Sequence, residues 1–494
     1  MTLPEYDDLD AIGLAEAVRK GDTSPRELLD AAAERIEARN PALNAVVYDM
    51  LDRARKKVDS LPDGPLKGVP FLVKDLKLTI EGTPTSNSSK LSKDTLATVT
   101  SVTARRYEEA GLQILGKTNT PEFGIMGITE PLLRGPCRNP WNPDHTPGGS
   151  SGGSGAAVAA RMVPIAHSGD GGGSIRIPAS ACGLFGLKPT RGRVTMSPHM
   201  GEAWGGFVQE HVLARSVRDS ALLLDIEAVP TPGEPYAQPA KERPWIEEVG
   251  RDPGKLKIAF FEDTLYAGDI HPDCRAAVQD AVTLLRELGH EVVPGCPPFD
   301  RKEMVRAYFL TVATGVARFV ETTAEQAGRK PRASDYEPTS WLLAQIAWKT
   351  KAPELLAAQT TMQKQARGIA AFFEDHDLFL SSSLGRPPAK VGEVMPTGSE
   401  LTQMALLRAL NLGPLMKVAL DTMGEGKLAY TPQTQIFNQT GQPAMSVPLY
   451  WNEAGLPIGI QLAARFGDEA TLFRVGAQLE EARPWAGKKP PMLS

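Results

Sequence analysis

Residues 147–174 read PGGSSGGSGAAVAARMVPIAHSGDGGGS and contain two glycine-rich turns, each of which carries a serine. Glycine accepts positive φ angles and lets the backbone approach a ligand closely. Consecutive backbone N–H groups in such turns form nests that bind anions. A serine in a nest combines a nucleophile with donors that stabilise an oxyanion, so the stretch indicates acyl-transfer chemistry. A flexible linker is the alternative, but it would leave the apolar run between the turns exposed.

Strand-like and helix-like segments alternate around this stretch. Apolar runs predict strands at 66–76, 112–118 and 163–170, and the spacing of apolar residues predicts helices at 99–110 and 155–162. Such alternation is typical of α/β proteins. We therefore expect an α/β fold with a central sheet flanked by helices on both faces.

Capping residues and prolines mark boundaries along the chain. Residues 24–27, Ser-Pro-Arg-Glu, form a capping box with proline at the first helical position. Asn40-Pro41 is expected to end the helix that begins there. Six prolines within 230–256 predict an irregular connector.

The overall composition argues against several classes of function. A net charge of −5 disfavours a nucleic-acid or anionic-membrane partner. The four cysteines lack the spacing of a zinc or redox motif, and we expect neither a metal nor a cofactor. The N-terminus lacks the apolar core of a secretion signal and no run of 18 apolar residues occurs, which predicts a cytoplasmic location. A homodimer is the default expectation for the oligomeric state.

The segment GLQILGKT, residues 111–118, matches the phosphate-loop pattern G-x-x-x-x-G-K-[ST]. A phosphate loop follows a strand and opens a helix. Here a predicted helix precedes Gly111, and the middle of the motif consists of strand formers. We therefore do not expect nucleotide binding at this segment.

The residues alone leave open which base would activate a serine. His145 and His167 are the nearest histidines, but a Ser-His-Asp triad is defined by geometry that a sequence does not show. The apolar neighbours of His167 favour a hydrogen-bonded core histidine. A lysine base is a known variant, and Lys74 at the end of an apolar strand is the candidate. An isolated lysine at a strand end is more often a surface residue.

Several blocks of sequence resemble the amidase signature family. In this family three blocks supply a lysine, a bridging serine and a nucleophilic serine, which correspond here to Lys74, Ser150 and Ser174. These blocks are GVPFLVKD (68–75), GGSSGGSGAAVAA (148–160) and SGDGGGSIRIPASACGLFGLKPTRGRV (168–194). Further agreeing blocks are GKTNTPEFG (116–124), ARSVRD (214–219), FNQTGQPAMSVP (437–448) and GLPIGIQ (455–461).

The resemblance spans nearly the whole chain and implies its architecture. It implies the amidase signature fold, with a central mixed β-sheet, as one domain over residues 1–494. The expected regions are N-terminal helices at 1–60, a catalytic core at about 61–230, the irregular connector at 230–256, and a substrate-pocket helical region at about 300–440.

The resemblance also implies roles for residues of both turns. The oxyanion hole is expected from the backbone N–H groups of Gly171, Gly172, Gly173 and Ser174. Structural support is expected from Ser151. Asp170 and Arg176 place an acid and a base around the second serine, and from the residues themselves we expect this pair to hold the shape of the turn. The family often has threonine at the position of Gly171, so a looser oxyanion loop is expected here. A cis peptide bond is expected before Ser150.

The implied mechanism needs Lys74 to be neutral. A free lysine has a pKa of about 10.4, and full burial lowers the pKa of a lysine by up to about 3–5 units. The apolar residues that precede Lys74 would supply that burial. We therefore expect Lys74 to titrate near neutrality and to act as the ultimate base.

The resemblance implies a serine hydrolase that cleaves C–N amide bonds of small linear or cyclic amides through an acyl-enzyme, without metal or cofactor. The alternatives are a carbamate or aryl-acylamide hydrolase, a glutamine-hydrolysing amidotransferase A subunit, and a non-catalytic binding protein of the same fold. The pocket is expected from about 120–135, 300–350 and 400–440. Residues that would line an apolar pocket or pack in the core are Met126, Trp341, Trp348 and Phe437.

Overall fold

The computed structural model describes residues 5–410 and 428–493. The helices of eight residues or more are α1 Ala11–Lys20, α2 Pro25–Leu43, α4 Val102–Glu109, α5 Gly152–Ala159, α7 Val217–Glu227, α8 Pro272–Glu287, α9 Arg301–Gln326, α10 Pro338–Trp348, α11 Ala352–Asp375, α12 Gly398–Leu410 and α14 Glu469–Ala482. The shorter ones are α3 Leu51–Lys57, α6 Arg176–Cys182 and α13 Gln435–Thr440. The strands are β1 Val46–Asp49, β2 Pro70–Lys74, β3 Gln113–Thr118, β4 Ile165–Asp170, β5 Phe185–Lys188, β6 Gln209–Ala214, β7 Lys257–Phe260, β8 Glu291–Pro294, β9 Leu378–Ser382, β10 Ala444–Trp451 and β11 Pro457–Ala464.

Within these ranges, eleven strands form one sheet in the order β1-β3-β2-β4-β6-β5-β10-β11-β9-β7-β8. Strand β2 runs parallel to both β3 and β4, and β7 runs parallel to both β8 and β9. The remaining neighbours pair antiparallel. The sheet is therefore mixed, as expected.

Side-chain alternation along β11 shows that helices cover both faces of the sheet. Successive side chains of a strand point to opposite faces. Ile458, Ile460 and Leu462 belong to a core cluster with residues of α7, α8 and α14. Gly459 and Gln461 instead contact α6, through hydrogen bonds to its side chains. The expected α/β architecture is confirmed.

The second helix extends further than the sequence suggested. The capping box at its start is confirmed. The helix does not end at Asn40-Pro41, as predicted, but continues to Leu43 with Pro41 inside its last turn. A proline there removes a single hydrogen bond. Asn44 closes the helix in the left-handed conformation, and its N–H donates to the Asn40 carbonyl.

Helix α5 was predicted at 155–162 and lies at Gly152–Ala159. Glycines are poor helix formers, which shifted the predicted start towards the alanines. The structure shows why glycines stand there: a Cβ at Gly152 would collide with the Thr129 side chain, and one at Gly153 with the Asn119 backbone. Close packing therefore overrides helix propensity in the first turn.

The parallel strands β2 and β4 bring the two key segments to one edge of the sheet. Strand β2 ends at Lys74, and β4 ends at Asp170, just before the second glycine-rich turn. Because parallel strands share a direction, their carboxyl ends lie together. The segment 111–118 follows α4 and contains β3, whereas a phosphate loop follows a strand and opens a helix.

Among the helices that the structure describes, none has both the length and the apolarity to cross a lipid bilayer.

Candidate active site

Lys74 lies at the end of β2 with 1% of its surface exposed. Its Nζ is 2.7 Å from the Oγ of Ser150 and 2.9 Å from the Oγ of Ser151. Burial, with a smaller effect from the positive charge of Lys77, lowers the pKa of Lys74 to about 7, while Glu210 and Asp170 act against this shift. The amine is thus poised to exchange a proton with a serine hydroxyl near neutral pH.

The first glycine-rich turn holds Ser150 against this lysine. The Gly149–Ser150 peptide bond is cis, as the family resemblance implied. A Cβ at Gly149 would lie 2.5 Å from the Ile128 carbonyl oxygen, so this position accepts glycine only. The Oγ of Ser151 is 3.3 Å from the Gly169 carbonyl oxygen, to which it donates, and this bond ties the turn to β4.

Ser174 lies where two cavities meet. A small cavity of about 20 Å³ is lined by Lys74, Ser150 and Ser174 together with Trp204 and Glu210. A second cavity, called here the apolar pocket, has a volume of about 140 Å³ and also reaches Ser174 and Trp204. The structure therefore brings the lysine and both serines to one small space, and opens Ser174 to a larger one.

Helices α9 and α10 together contribute seven of the residues that line the apolar pocket. Its lining includes Met126, Ile177, Tyr308, Phe309, Val312, Leu342, Leu343, Ile346, Met404, Leu428 and Tyr430. Of the four candidates from the sequence, Met126 lines it. Trp341 stacks on Tyr336, Trp348 is 41% exposed, and Phe437 lies in the core. The segment at 400–440 falls partly outside the described residues.

An ion pair shapes the second glycine-rich turn. Arg176 donates from Nε to Asp170 Oδ2 at 2.9 Å and from its Nη2 atom to Oδ1 at 3.0 Å, and both side chains are fully buried. Burial alone would raise the pKa of Asp170, but Arg176 and Asn438 hold that pKa at about 2. The carboxylate stays ionised and organises the turn from beneath.

The expected oxyanion hole needs one correction. The N–H of Gly173 donates to Asp170 Oδ1 at 2.6 Å, so this group is already engaged. The Asp170 carboxylate accepts this hydrogen bond because the turn places the backbone N–H of Gly173, three residues later, next to it. Among the described residues, the N–H groups of Gly171, Gly172 and Ser174 have no acceptor. These three remain as candidate donors.

Close packing around this turn explains why glycine occupies two of its positions. A Cβ at Gly171 would lie 2.8 Å from Cζ3 of Trp204, and one at Gly172 would collide with the Tyr308 hydroxyl. The Thr434 hydroxyl donates to the Gly172 carbonyl at 2.7 Å, which holds the turn from the other side. The sequence predicted a looser loop at Gly171 but did not show that Trp204 fills the space.

Three polar residues from the last fifth of the chain complete the support, and sequence reasoning missed them. Arg176 also donates to the Thr434 carbonyl, to Asn438 Oδ1 and to Gln461 Oε1, at 2.8, 2.7 and 2.7 Å. Asn438 in turn donates to Asp170 Oδ1 at 2.8 Å. Both Asn438 and Gln461 belong to the blocks that carried the family resemblance, which was the available signal.

Among the residues that the structure describes, neither histidine is hydrogen-bonded to Ser150 or Ser174. The Lys74 backbone N–H donates to His167 Nδ1 at 3.3 Å, and His167 Nε2 lies 3.5 Å from the Glu210 carboxylate. His145 Nδ1 lies 2.6 Å from the Pro388 carbonyl oxygen. His167 thus lines the small cavity beside the lysine, and His145 belongs to a loop outside it.

A protein-family model described as Amidase matches residues 27–473. The 6-aminohexanoate-cyclic-dimer hydrolase of Paenarthrobacter ureafaciens is 36% identical over 493 residues, which cover 98% of this chain and 97% of that protein. A structure titled as 6-aminohexanoate cyclic dimer hydrolase superposes with a TM-score of 0.88 over 99% of both chains, at 36% identity. A bacterial aryl acylamidase structure superposes with a TM-score of 0.84 at 26% identity, over 97% of this chain and 99% of that one. The resemblance found in the sequence is confirmed.

Proposed function

The chain belongs to the amidase family and is a hydrolase of carbon–nitrogen amide bonds, and from that premise we propose that it cleaves small, largely apolar linear or cyclic amides through an acyl-enzyme on Ser174. One observation carries the proposal. The Lys74 amine lies 2.7 Å from the Ser150 hydroxyl in a small cavity that Ser174 shares, and Ser174 also opens to the apolar pocket.

In the first half of the reaction, Ser174 Oγ attacks the amide carbon. Ser150 accepts the proton of Ser174 and passes its own proton to neutral Lys74. The C–N bond then breaks as the proton returns through Ser150 to the leaving nitrogen, which leaves as a neutral amine. An ester joins the acyl group to Ser174. A pKa of about 7 lets Lys74 both accept the proton and return it. A group that acts first as a base and then as an acid works best when its pKa lies near the operating pH.

The negative charge of the tetrahedral intermediate requires fixed donors. The N–H groups of Gly171, Gly172 and Ser174 are available for this purpose, whereas that of Gly173 donates to Asp170. Each donor in such a site is worth on the order of 10²–10³ in rate. Asp170 and Arg176 act as positioning residues, because their hydrogen bonds hold the turn that presents these donors.

In the second half, water replaces the amine. The Lys74–Ser150 pair accepts a proton from the water as it attacks the ester. Collapse of the second intermediate releases the acid and returns the proton to Ser174. Lys74 and Ser150 thus serve both half-reactions, as in other acyl-enzyme mechanisms.

The apolar pocket supports the substrate class. Its volume of about 140 Å³ resembles that of a dry engineered cavity of about 150 Å³ that binds benzene. A short methylene chain or a ring of that size fits such a space. The relatives named as a cyclic-dimer hydrolase and an aryl acylamidase have names that denote amides with chains or rings of this kind.

The test combines active-site labelling with a substrate panel. The purified protein is treated with a fluorophosphonate and the adduct is mapped by mass spectrometry, with Ser174→Ala and Ser168→Ala as paired variants. We expect an adduct on Ser174 that Ser168→Ala retains, because Ser168 is buried on β4, before the turn that carries Ser174, and lines neither cavity that reaches Ser174. Turnover by Ser174→Ala at the wild-type rate, or an adduct on another serine, would contradict the proposal.

The panel contains cyclic dimers, aliphatic amides, anilides, carbamates and glutamine. We expect turnover of cyclic or linear apolar amides. Hydrolysis of glutamine alone would favour the amidotransferase alternative, and hydrolysis of carbamates alone would favour a urethane hydrolase. An adduct on Ser174 with no turnover of any amide would favour the binding-protein alternative. The cytoplasmic location, the homodimer and the single domain stay predictions.

A further inference from the structure

Lys77 is a second lysine beside the small cavity that holds Lys74. Both side chains line this cavity, whose volume of about 20 Å³ is close to that of a single water site. The two lysines therefore border one common space. The mechanism proposed above uses Lys74 and gives no role to Lys77.

The backbone bends after β2, and Lys77, three residues beyond Lys74, borders the same small cavity. Lys77 has φ 61°, in the left-handed region that favours glycine. Its N–H donates to Asn87 Oδ1 at 3.1 Å, which holds this conformation. A residue without a Cβ would adopt the turn more readily, so the presence of a lysine here indicates a role for its side chain.

Two aromatic rings hold the Lys77 side chain. Its Nζ lies 5.4 Å from the ring centre of Trp204 and 5.1 Å from that of Phe319. Cations over aromatic faces at such distances are attracted by the ring electrons. In the part of the chain that the structure describes, Lys77 Nζ makes no ion pair or hydrogen bond with a side chain or carbonyl.

A third cavity explains how Lys77 stays protonated beside a neutral lysine. It has a volume of about 780 Å³ and shares Lys77, Trp204 and Glu210 with the small cavity. Hydroxyl groups of several threonines and serines line it, so it has room and partners for water. Lys77 therefore has a hydrated side, whereas Lys74 is only 1% exposed.

We propose that Lys77 is a positioning residue whose ammonium charge, held by Trp204 and Phe319, keeps Lys74 in its neutral form. The proposal rests on the function proposed above, in which Lys74 is the base. A like charge nearby disfavours a second ammonium, and the effect is large where water is scarce.

Other charged and titratable groups around the two lysines also affect which lysine is protonated. Lys74 faces Asp170 and His167 from β4 and Glu210 from β6. The groups that share the third cavity with Lys77 are Glu210, Glu202, His199 and Arg318. Burial lowers the pKa of Lys77 to about 8, with Glu210 acting against the shift, so Lys77 remains largely protonated where Lys74 is about half neutral.

The test is the pH dependence of kcat/KM for a small amide with Lys77→Met. The acid limb reports ionisation of the base in the free enzyme. Loss of the charge raises the pKa of Lys74, so we expect the acid limb to move up by about one pH unit while the plateau at high pH is kept. At a pH below both limbs, the variant is then about tenfold slower than the wild type.

Two controls separate charge from structure. Lys77→Arg retains the cation and is expected to keep the wild-type acid limb. Arg318→Met removes a cation at the outer side of the third cavity, where the side chain is 63% exposed and its charge is screened, and is expected to leave the limb in place. Lys77→Gln replaces Lys77→Met if thermal unfolding shows that the methionine variant does not fold.

An acid limb that stays unchanged in folded Lys77→Met overturns the inference. So does a loss of rate that is equal at every pH, because that is the mark of a structural role. The proposed function fails separately, through the absence of a Ser174 adduct or through turnover by Ser174→Ala.

Discussion

Gly171 faces the indole of Trp204 so closely that a Cβ on the glycine would lie 2.8 Å from Cζ3. The same indole lines all three cavities around the site. The identity of one loop residue and the position of one aromatic ring are therefore linked.

The close approach of Gly171 and Trp204 predicts the effect of introducing, at position 171, the threonine that the family often has. Gly171→Thr is expected to lower kcat/KM by on the order of 10², because the turn must shift away from Trp204 and misplace a donor of the oxyanion hole. The double variant with Trp204→Val is expected to recover part of the loss. Gly368→Ala is the control, since a Cβ there lies 3.7 Å from the nearest atom, the Pro298 carbonyl oxygen. Wild-type rates in Gly171→Thr would show that the turn tolerates the added bulk.

The neutral form of Lys74 predicts a pH profile for the wild type. Because burial lowers the pKa of Lys74 to about 7, kcat/KM is expected to fall about tenfold per pH unit below pH 7. The pH dependence of Ser174 labelling by a fluorophosphonate is expected to follow the same curve. Lys74→Ala is expected to lose most turnover at every pH; wild-type turnover across pH 6–9 would rule out the lysine as base.

The buried ion pair under the turn predicts a loss of stability. Arg176→Met leaves the Asp170 carboxylate buried without its partner and is expected to lower the free energy of unfolding by about 3–5 kcal/mol. Urea unfolding at pH 7 measures the change. Arg26→Gln is the control, because its ion pair with Asp59 is exposed and its loss is expected to cost less than about 1 kcal/mol.

The Asp170 carboxylate also makes the free energy of unfolding depend on pH in acid. The pKa of Asp170 is held at about 2 in the folded protein, below its usual range near 3.9. Its contribution is therefore complete above about pH 5 and is lost progressively as the pH falls through about 2 towards about 1. The dependence of unfolding free energy on pH in this range is expected to be shallower in Asp170→Asn, where this group no longer titrates.

The apolar pocket predicts a change in substrate preference. Val312 lies on α9 and lines the pocket, so Val312→Phe is expected to reduce its volume and to raise KM for anilides and cyclic amides more than for short aliphatic amides. Trp348→Ala is the control: this side chain is 41% exposed and does not line the pocket, although the sequence made it a candidate. Equal effects of both variants on all substrates would contradict the assignment.

The sequence predicts local features of this protein well and long-range contacts less well. The strand that ends at Lys74 and the capping box at Ser24 follow from short patterns. The engagement of the Gly173 N–H and the contact between Gly171 and Trp204 depend on how segments meet in space. Residue spacing along the chain does not predict such contacts. The predicted start of α5 is wrong for the same reason, because its first glycines pack against distant residues.

The hydrogen bonds of Arg176 also set an order of assembly. Its partners at Thr434 and Gln461 lie 258 and 285 residues further along the chain. A chain still being synthesised, with Ser174 already made and Gln461 not yet added, lacks these acceptors and leaves a buried guanidinium without several of its bonds. The reactive turn therefore takes its final shape only after the chain has been extended through Gln461, well after Ser174 has been made.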